Sequence, residues 1–235
     1  MVTKAVAKKQ DTLPAYMNQG PARGQENVTV DDLSIPRLDV IQALSPQRKK
    51  SAPEYIDGAE EGQLFNSVTN TLYGEDVTFV PVYFRKEWLL WRDRDSGGGF
   101  GGAYATPQEA AAEARERGQG WEPSETAQHF GLIIGDDGTI EEVVISMSRS
   151  KLKASRQLNT LAKMAGGDRF ASAYKVSAVE VNGESGDYYN LNVKRTGWVD
   201  EDVYAAGETL YNAVSAGSKD VSRDHGDEAE GDDKY

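Results

Sequence analysis

Val77-Thr78-Phe79-Val80-Pro81-Val82-Tyr83-Phe84 is the stretch on which the fold turns. β-branched and aromatic residues fill it, and its length suits a strand. Pro81 has no N–H to give to a ladder, so it places an edge or a bulge within that strand. Trp88-Leu89-Leu90-Trp91 continues the strand or pairs with it. Upstream, Leu38, Val40 and Gln42 alternate as a half-buried strand does, and Leu64 to Val68 reads as strand or turn.

Ser96-Gly97-Gly98-Gly99-Phe100-Gly101-Gly102 reads as a flexible excursion. Thr106-Pro107-Gln108-Glu109 is a capping box with proline at the first helical position, and Gly118 closes the Ala-rich helix that follows. Phe130 to Ile134 is a buried strand that turns at Asp136-Asp137-Gly138 and returns through Ile140 to Ile145. A helix from about Arg149 to Ala165 stops at Gly166-Gly167. Tyr174 to Val181 and Tyr188 to Lys194 form a second hairpin. A last helix from about Asp202 to Ala216 puts Val203, Leu210 and Val214 on one face. This order predicts a mainly β protein with helices. It suits an OB-like Greek-key barrel with an inserted Ala-rich helix, a central helix and a C-terminal helix. An α+β sandwich is the alternative.

The organisation expected is a disordered arm over 1–30, a folded domain over 31–217 and a disordered acidic tail over 218–235. From Lys219 onward seven acidic residues face three basic ones, with almost no apolar side chain before Tyr235. Such a segment buries too little to offset its ordering entropy. The whole chain carries a net charge of −12. Any polyanion site must therefore be local. The absence of cysteine excludes disulfides, thiolate metal sites and cysteine nucleophiles. With no apolar leader and no long apolar run, a cytoplasmic protein without a membrane segment is expected.

No H-E-x-x-H, G-x-S-x-G or Walker A pattern occurs, and neither His129 nor His225 has an evident catalytic companion. No enzyme, cofactor or metal is therefore expected. Binding signals are stronger. On a helical period Arg149, Lys153, Arg156, Thr160 and Lys163 share one face, opposite Ala154, Leu158, Leu161 and Ala165. Residues 149–169 carry six basic groups, Lys151 and Arg169 among them, against Asp168 alone. A solvated helix face is the bland explanation, but such faces in acidic proteins usually mix signs. Arg85 to Arg92 interleaves two tryptophans with three bases. Tyr188-Tyr189, followed by Lys194, repeats the mixture. Single-strand binders need this pairing, cations along the phosphates and π faces beneath the bases.

Four segments, Ile35-Pro36-Arg37-Leu38, the Trp91 to Phe100 run with three glycines before Phe100, Lys151-Leu152-Lys153-x-Ser155-Arg156-x-x-Asn159, and the acidic terminus, occur in that order. In this the chain resembles bacteriophage single-stranded-DNA-binding proteins of replication. The resemblance implies an OB fold and non-sequence-specific binding of single-stranded DNA in replication and recombination. It also implies a tail (Asp227, Glu228, Glu230, Asp232, Asp233 and Tyr235) that recruits replication proteins such as polymerase, helicase or primase. Lys234 and the inserted helix depart from that pattern. On this reading Arg37, Lys86, Arg92, Arg149, Lys151, Lys153, Arg156, Lys163 and Lys194 meet phosphates. Trp88 or Trp91, with Phe100 and one of Tyr188 and Tyr189, stack on bases. The rival reading is an acidic interaction module, a DNA mimic that occupies a partner's nucleic-acid site.

Overall fold

The structure is a computed structural model that describes residues 35–183 and 186–221, together with Gly24 and Asn27. Two antiparallel sheets form. The smaller contains β1 (Leu38–Val40), β2 (Leu64–Asn66) and β3 (Leu72–Gly74). The larger contains β4 (Asp76–Arg92), β5 (Phe100–Tyr104), β6 (Trp121–Ile134), β7 (Ile140–Ser148), β8 (Ser172–Gly183) and β9 (Gly186–Trp198), in the order β7-β6-β4-β8-β9. Among the described residues there are three α-helices, α1 (Pro107–Arg117), α2 (Leu152–Ala165) and α3 (Glu201–Ser215).

β4 is one strand of 17 residues, so the two apolar runs of the sequence are continuous. It lies at the centre of the sheet. β6 pairs along nearly its whole length, β8 pairs with its first residues (76–79), and β5 pairs with its last (88–91). The ladder shifts register between Pro81 and Tyr83, so the proline marks a bulge and not an edge. Pro123 of β6 is in register with Leu90 of β4 but lies beyond Thr126, where the pairing with β7 ends, so it stands on a stretch of β6 that is open on one side.

Helices cover both faces. Ala154 and Leu158 of α2 pack with Val77, Phe79, Ile145, Met147 and Val176 on one face. Val203, Leu210 and Val214 of α3 pack with Val80, Val82, Phe130 and Leu132 on the other. α1 begins at the expected capping box, Thr106 with Glu109. It links β5 to β6 across β4, and its Arg117 lies 5.0 Å over the Trp121 ring. Trp121 is in register with Arg92, and its ring lies beside Leu90 at Gly101. α1 therefore covers the same face as α2, further along β4.

Neither sheet closes into the barrel that the sequence reading expects. The two edges of the large sheet are capped separately instead of pairing with each other. On β7, the Val144 N–H donates to the Pro36 carbonyl at 2.8 Å. On β9, the Gln42 side chain both donates to the Tyr189 carbonyl and accepts from its N–H, each at 2.8 Å. Gln157 of α2 donates to the Val193 carbonyl of the same strand at 2.8 Å. The glycine run also differs from expectation, because Phe100–Tyr104 is a strand.

The arm over 1–30 lies outside the described residues, apart from Gly24 and Asn27. So does the terminus beyond Val221, including Asp227, Glu228, Glu230, Asp232, Asp233 and Tyr235. Of the residues assigned to the tail from sequence, Lys219 donates to Glu142 at 2.6 Å, Asp220 pairs with Arg85, and Val221 is buried beside Ile35. All three are held by the folded domain.

Gly131 lies opposite Pro81 at the bulge, where an added Cβ would come within 2.4 Å of both the Phe79 ring and the Val80 carbonyl oxygen. Gly131→Ala is expected to cost about 3 kcal/mol or more, because neither neighbour is free to move. Urea unfolding against the wild type checks this, and an unchanged midpoint would remove the bulge from the account of the fold.

Candidate nucleic-acid interface

The register shift at Pro81–Tyr83 decides which side chains of β4 face α2. Before it, Val77 and Phe79 do. After it the parity changes, and strict alternation from Phe84 to Arg92 puts Phe84, Lys86, Trp88, Leu90 and Arg92 on that face. Their partners across the ladder are His129, Ala127, Glu125, Pro123 and Trp121. Leu90 is fully buried at the α1 end. Beside α2 this face opens into a groove floored by Phe84 and Lys86, with Trp88 two residues further along β4. At its α2 side is a cavity of about 160 Å³, lined by Phe84, Lys86 and Glu125 from the sheet and by Ser155, Arg156 and Asn159 from the helix. Lys86 and Glu125 pair at 2.6 Å across the floor.

α2 keeps the expected apolar period in part, since Leu161 and Ala165, expected on the core side, are only half-buried. Ala154, Leu158 and Ala162 are buried, and Lys153, Arg156 and Lys163 are exposed. The helix proper begins at Leu152. Arg149 and Lys151 lie in the preceding 3₁₀ turn, where Arg149 has a positive φ of 47°. Among the described residues Arg149, Lys153, Arg156 and Lys163 have no carboxylate partner. Lys151 is different, pairing with Asp39 at 3.1 Å with little of its side chain exposed.

Several of the aromatics and bases picked out in the sequence lie elsewhere. Trp91 and Phe100 are on the opposite face of the sheet, ring to ring at 5.1 Å. Tyr189 is on the α2 face but packs over Gly62, where an added Cβ would meet its ring at 2.5 Å. Tyr188 and the exposed Lys194 face the other way, since Leu191 and Val193 alternate with them into the α2 core. Arg37 bridges to Val144 at the β7 edge. Arg92 is exposed on the groove face, 6.0 Å over Trp121. Of the residues picked out in the sequence, the structure therefore brings Lys86 and Arg156 into one cavity, with Trp88 and Arg92 further along the same face of β4 and Lys153 on the exposed side of α2.

Beneath the cavity is a buried polar cluster that the sequence reading did not find. Arg169 Nη2 lies 3.0 Å from His129 Nδ1 and 2.8 Å from Asn159 Oδ1, and its guanidinium sits 5.7 Å over the Phe84 ring. His129 Nε2 lies 2.8 Å from Ser155 Oγ. Burial, and then the charge of Arg169, pull the imidazole pKa down to about 3. Burial pulls the Arg169 pKa down to about 10, so at neutral pH the arginine is charged and the histidine is not. Two signals were present in sequence: His129 falls on the inward parity of β6, and Ser155 and Asn159 stand four apart on the inner flank of α2. A second missed aromatic, Trp198, is 64% exposed, with Arg195 stacked 4.4 Å over it.

The class so defined is, among the described residues, a β-rich protein of two open antiparallel sheets with three α-helices and a cavity beside α2. Among the described residues no group of His, Asp or Glu could hold a metal ion, and no helix is long and apolar enough to cross a membrane. The profile described as Pam3 phage gp34-like protein matches residues 6–220, and the chain belongs to that phage family. No curated protein and no solved structure matches it.

The buried imidazole ties stability to pH. Its folded pKa lies below the unfolded value of about 6.5, so the unfolded chain takes up a proton that the native state refuses. The domain is expected to hold its stability above pH 6.5 and to lose it progressively as pH falls toward 3. Between pH 6.5 and 5 ordinary carboxylates do not yet contribute, and there His129→Gln should flatten the slope. Urea midpoints across that interval measure it.

Proposed function

We propose that this protein binds single-stranded DNA without sequence preference, in phage replication or recombination, through the groove beside α2. One observation carries the reading. In a chain of net charge −12, Arg149 in the turn before α2 and Lys153, Arg156 and Lys163 on its exposed face stand without carboxylate partners among the described residues, beside a cavity floored by Phe84 and Lys86, with Trp88 further along the same face of β4. The cations follow the phosphates and Trp88 offers a π face for a base, worth about 1–3 kcal/mol. Trp198 with Arg195 repeats that pairing at the end of β9. Membership of a phage family supports the setting. The reading depends on the groove and does not require an OB barrel. The acidic terminus would recruit other replication proteins and compete with DNA for the groove.

Titration with fluorescent oligo-dT at low salt tests the reading. Affinity should fall steeply with salt, and Lys153→Glu with Arg156→Glu should weaken it about a hundredfold by reversing two phosphate contacts. Wild-type protein that leaves the oligonucleotide unbound at low salt would end it. Removing residues 222–235, which leaves the contacts of Lys219, Asp220 and Val221 in place, should tighten binding because a tethered polyanion no longer competes. Equal affinity would separate the terminus from the groove.

A further inference from the structure

Hydrogen-bond chemistry fixes the polarity of the cluster beneath the cavity. An arginine can only donate. Its approach to His129 Nδ1 therefore makes that nitrogen an acceptor and puts the imidazole proton on Nε2. Nε2–H then donates to Ser155 Oγ, which leaves the Ser155 hydroxyl proton to be given elsewhere. By the same rule Arg169 holds Asn159 by its oxygen, so the Asn159 amide N–H groups are left as donors. Neither donor has an acceptor among the described residues. Ser155 is only 3% exposed, and both residues line the cavity with Arg156 and Lys86.

Arg169 itself has no carboxylate partner among the described residues, although it is largely buried on the Phe84 ring. A buried cation left without a counter-charge is costly. The cavity beside it thus offers donors from a hydroxyl, an amide, a guanidinium and an ammonium, set among the apolar Phe84, Ala127 and Leu152. The one carboxylate lining it, Glu125, is already paired with Lys86. At about 160 Å³ it is well below the ~300 Å³ at which pockets for larger ligands begin. It admits a group of the size of a phosphate.

We propose that this cavity is a seat for one phosphate group of the bound strand, its donors set by Arg169 acting through His129 and Asn159. This rests on the groove reading and adds a fixed point to it. Arg156, Ser155 and Asn159 touch the phosphate, Lys86 shares its charge between phosphate and Glu125, and Arg169 is a positioning residue that never reaches it. A strand held this way would run along the floor with one backbone position pinned and a neighbouring base over Trp88.

Asn159→Asp tests the seat in the full chain. The carboxylate keeps the acceptor that Arg169 needs, so the variant should fold with an equal or higher melting midpoint. It also replaces the amide donor with a negative charge, so oligo-dT affinity should fall at least about tenfold. Ser155→Ala should lose about three- to tenfold with an unchanged salt slope, because the donor it removes is uncharged. Arg156→Ala should reduce that slope by about one. In parallel, an NMR titration with inorganic phosphate should shift the Asn159 side-chain amide of wild type saturably. If wild type binds oligo-dT and a folded Asn159→Asp binds it equally, the seat is overturned and the groove stands. If Asn159→Asp does not fold, undiminished binding by Ser155→Ala overturns it instead. If wild type does not bind oligo-dT, the groove reading falls, and the phosphate titration alone decides, with no saturable shift at Asn159 refuting the seat.

Discussion

One extra residue in β4 sets everything that follows it. Alternation alone would continue the parity of Val77 and Phe79 and turn Arg85, Glu87, Leu89 and Trp91 toward α2. The register shift between Pro81 and Tyr83 reverses this, and Phe84, Lys86 and Trp88 face the helix. The displaced set has its own use on the other face. There Glu87 is buried with Arg85 at 3.5 Å and Gln128 at 2.9 Å, and Arg85 also holds Asp220 at the end of the described chain. A bulge that looks like a local irregularity thus sorts one strand's charges into a closed ion-pair network on one side and an open groove on the other. Proline makes the device durable, because a residue without an N–H cannot restore the regular ladder.

The groove is positive for a reason deeper than its surface. Arg169 is held by two neutral acceptors, His129 and Asn159, and by the face of an aromatic ring. A carboxylate in either place would pay for the burial of the guanidinium more fully, and would also cancel its field at the surface. Neutral partners pass the polarity outward: a histidine kept neutral by burial carries a donor direction from Arg169 to Ser155. The same contacts tie the first half of α2, the turn before β8 and the middle of β6 together. The part of the molecule that gives the groove its chemistry therefore also fixes the helix that walls it.

Much of this was legible in sequence, and the failures have physical causes. The capping box placed α1 and the apolar period placed α2 and its cationic face, because both signals are local. Pro81 announced a bulge or an edge. A central strand left only the bulge, but which strand is central is a pairing fact invisible along the chain. The glycine run read as loose, yet Phe100–Tyr104 is a strand because β4 offers it a ladder and Trp121 needs Gly101 bare to lie across it. The expected barrel is absent because edge capping by Pro36, Gln42 and Gln157 depends on contacts over long sequence separations. His129 stayed unexplained for the same reason: its partners Ser155 and Arg169 are 26 and 40 residues away.

The net charge of −12 and the proposed ligand can coexist because they act over different distances. At physiological ionic strength charges are screened beyond roughly 8 Å, so a strand in the groove feels Lys86, Lys153 and Arg156 and little of the acid elsewhere. Lowering the salt strengthens those contacts, but it also lengthens the reach of the whole protein's repulsion toward 30 Å at about 0.01 M. The two effects oppose each other. On the proposed reading the association rate should therefore gain less from low salt than it does for a basic binder, and most of the salt dependence should fall on dissociation, where the contacts in the groove are broken. A protein of this charge makes a poor long-range attractor of nucleic acid, and its selectivity has to come from what a strand meets once it arrives.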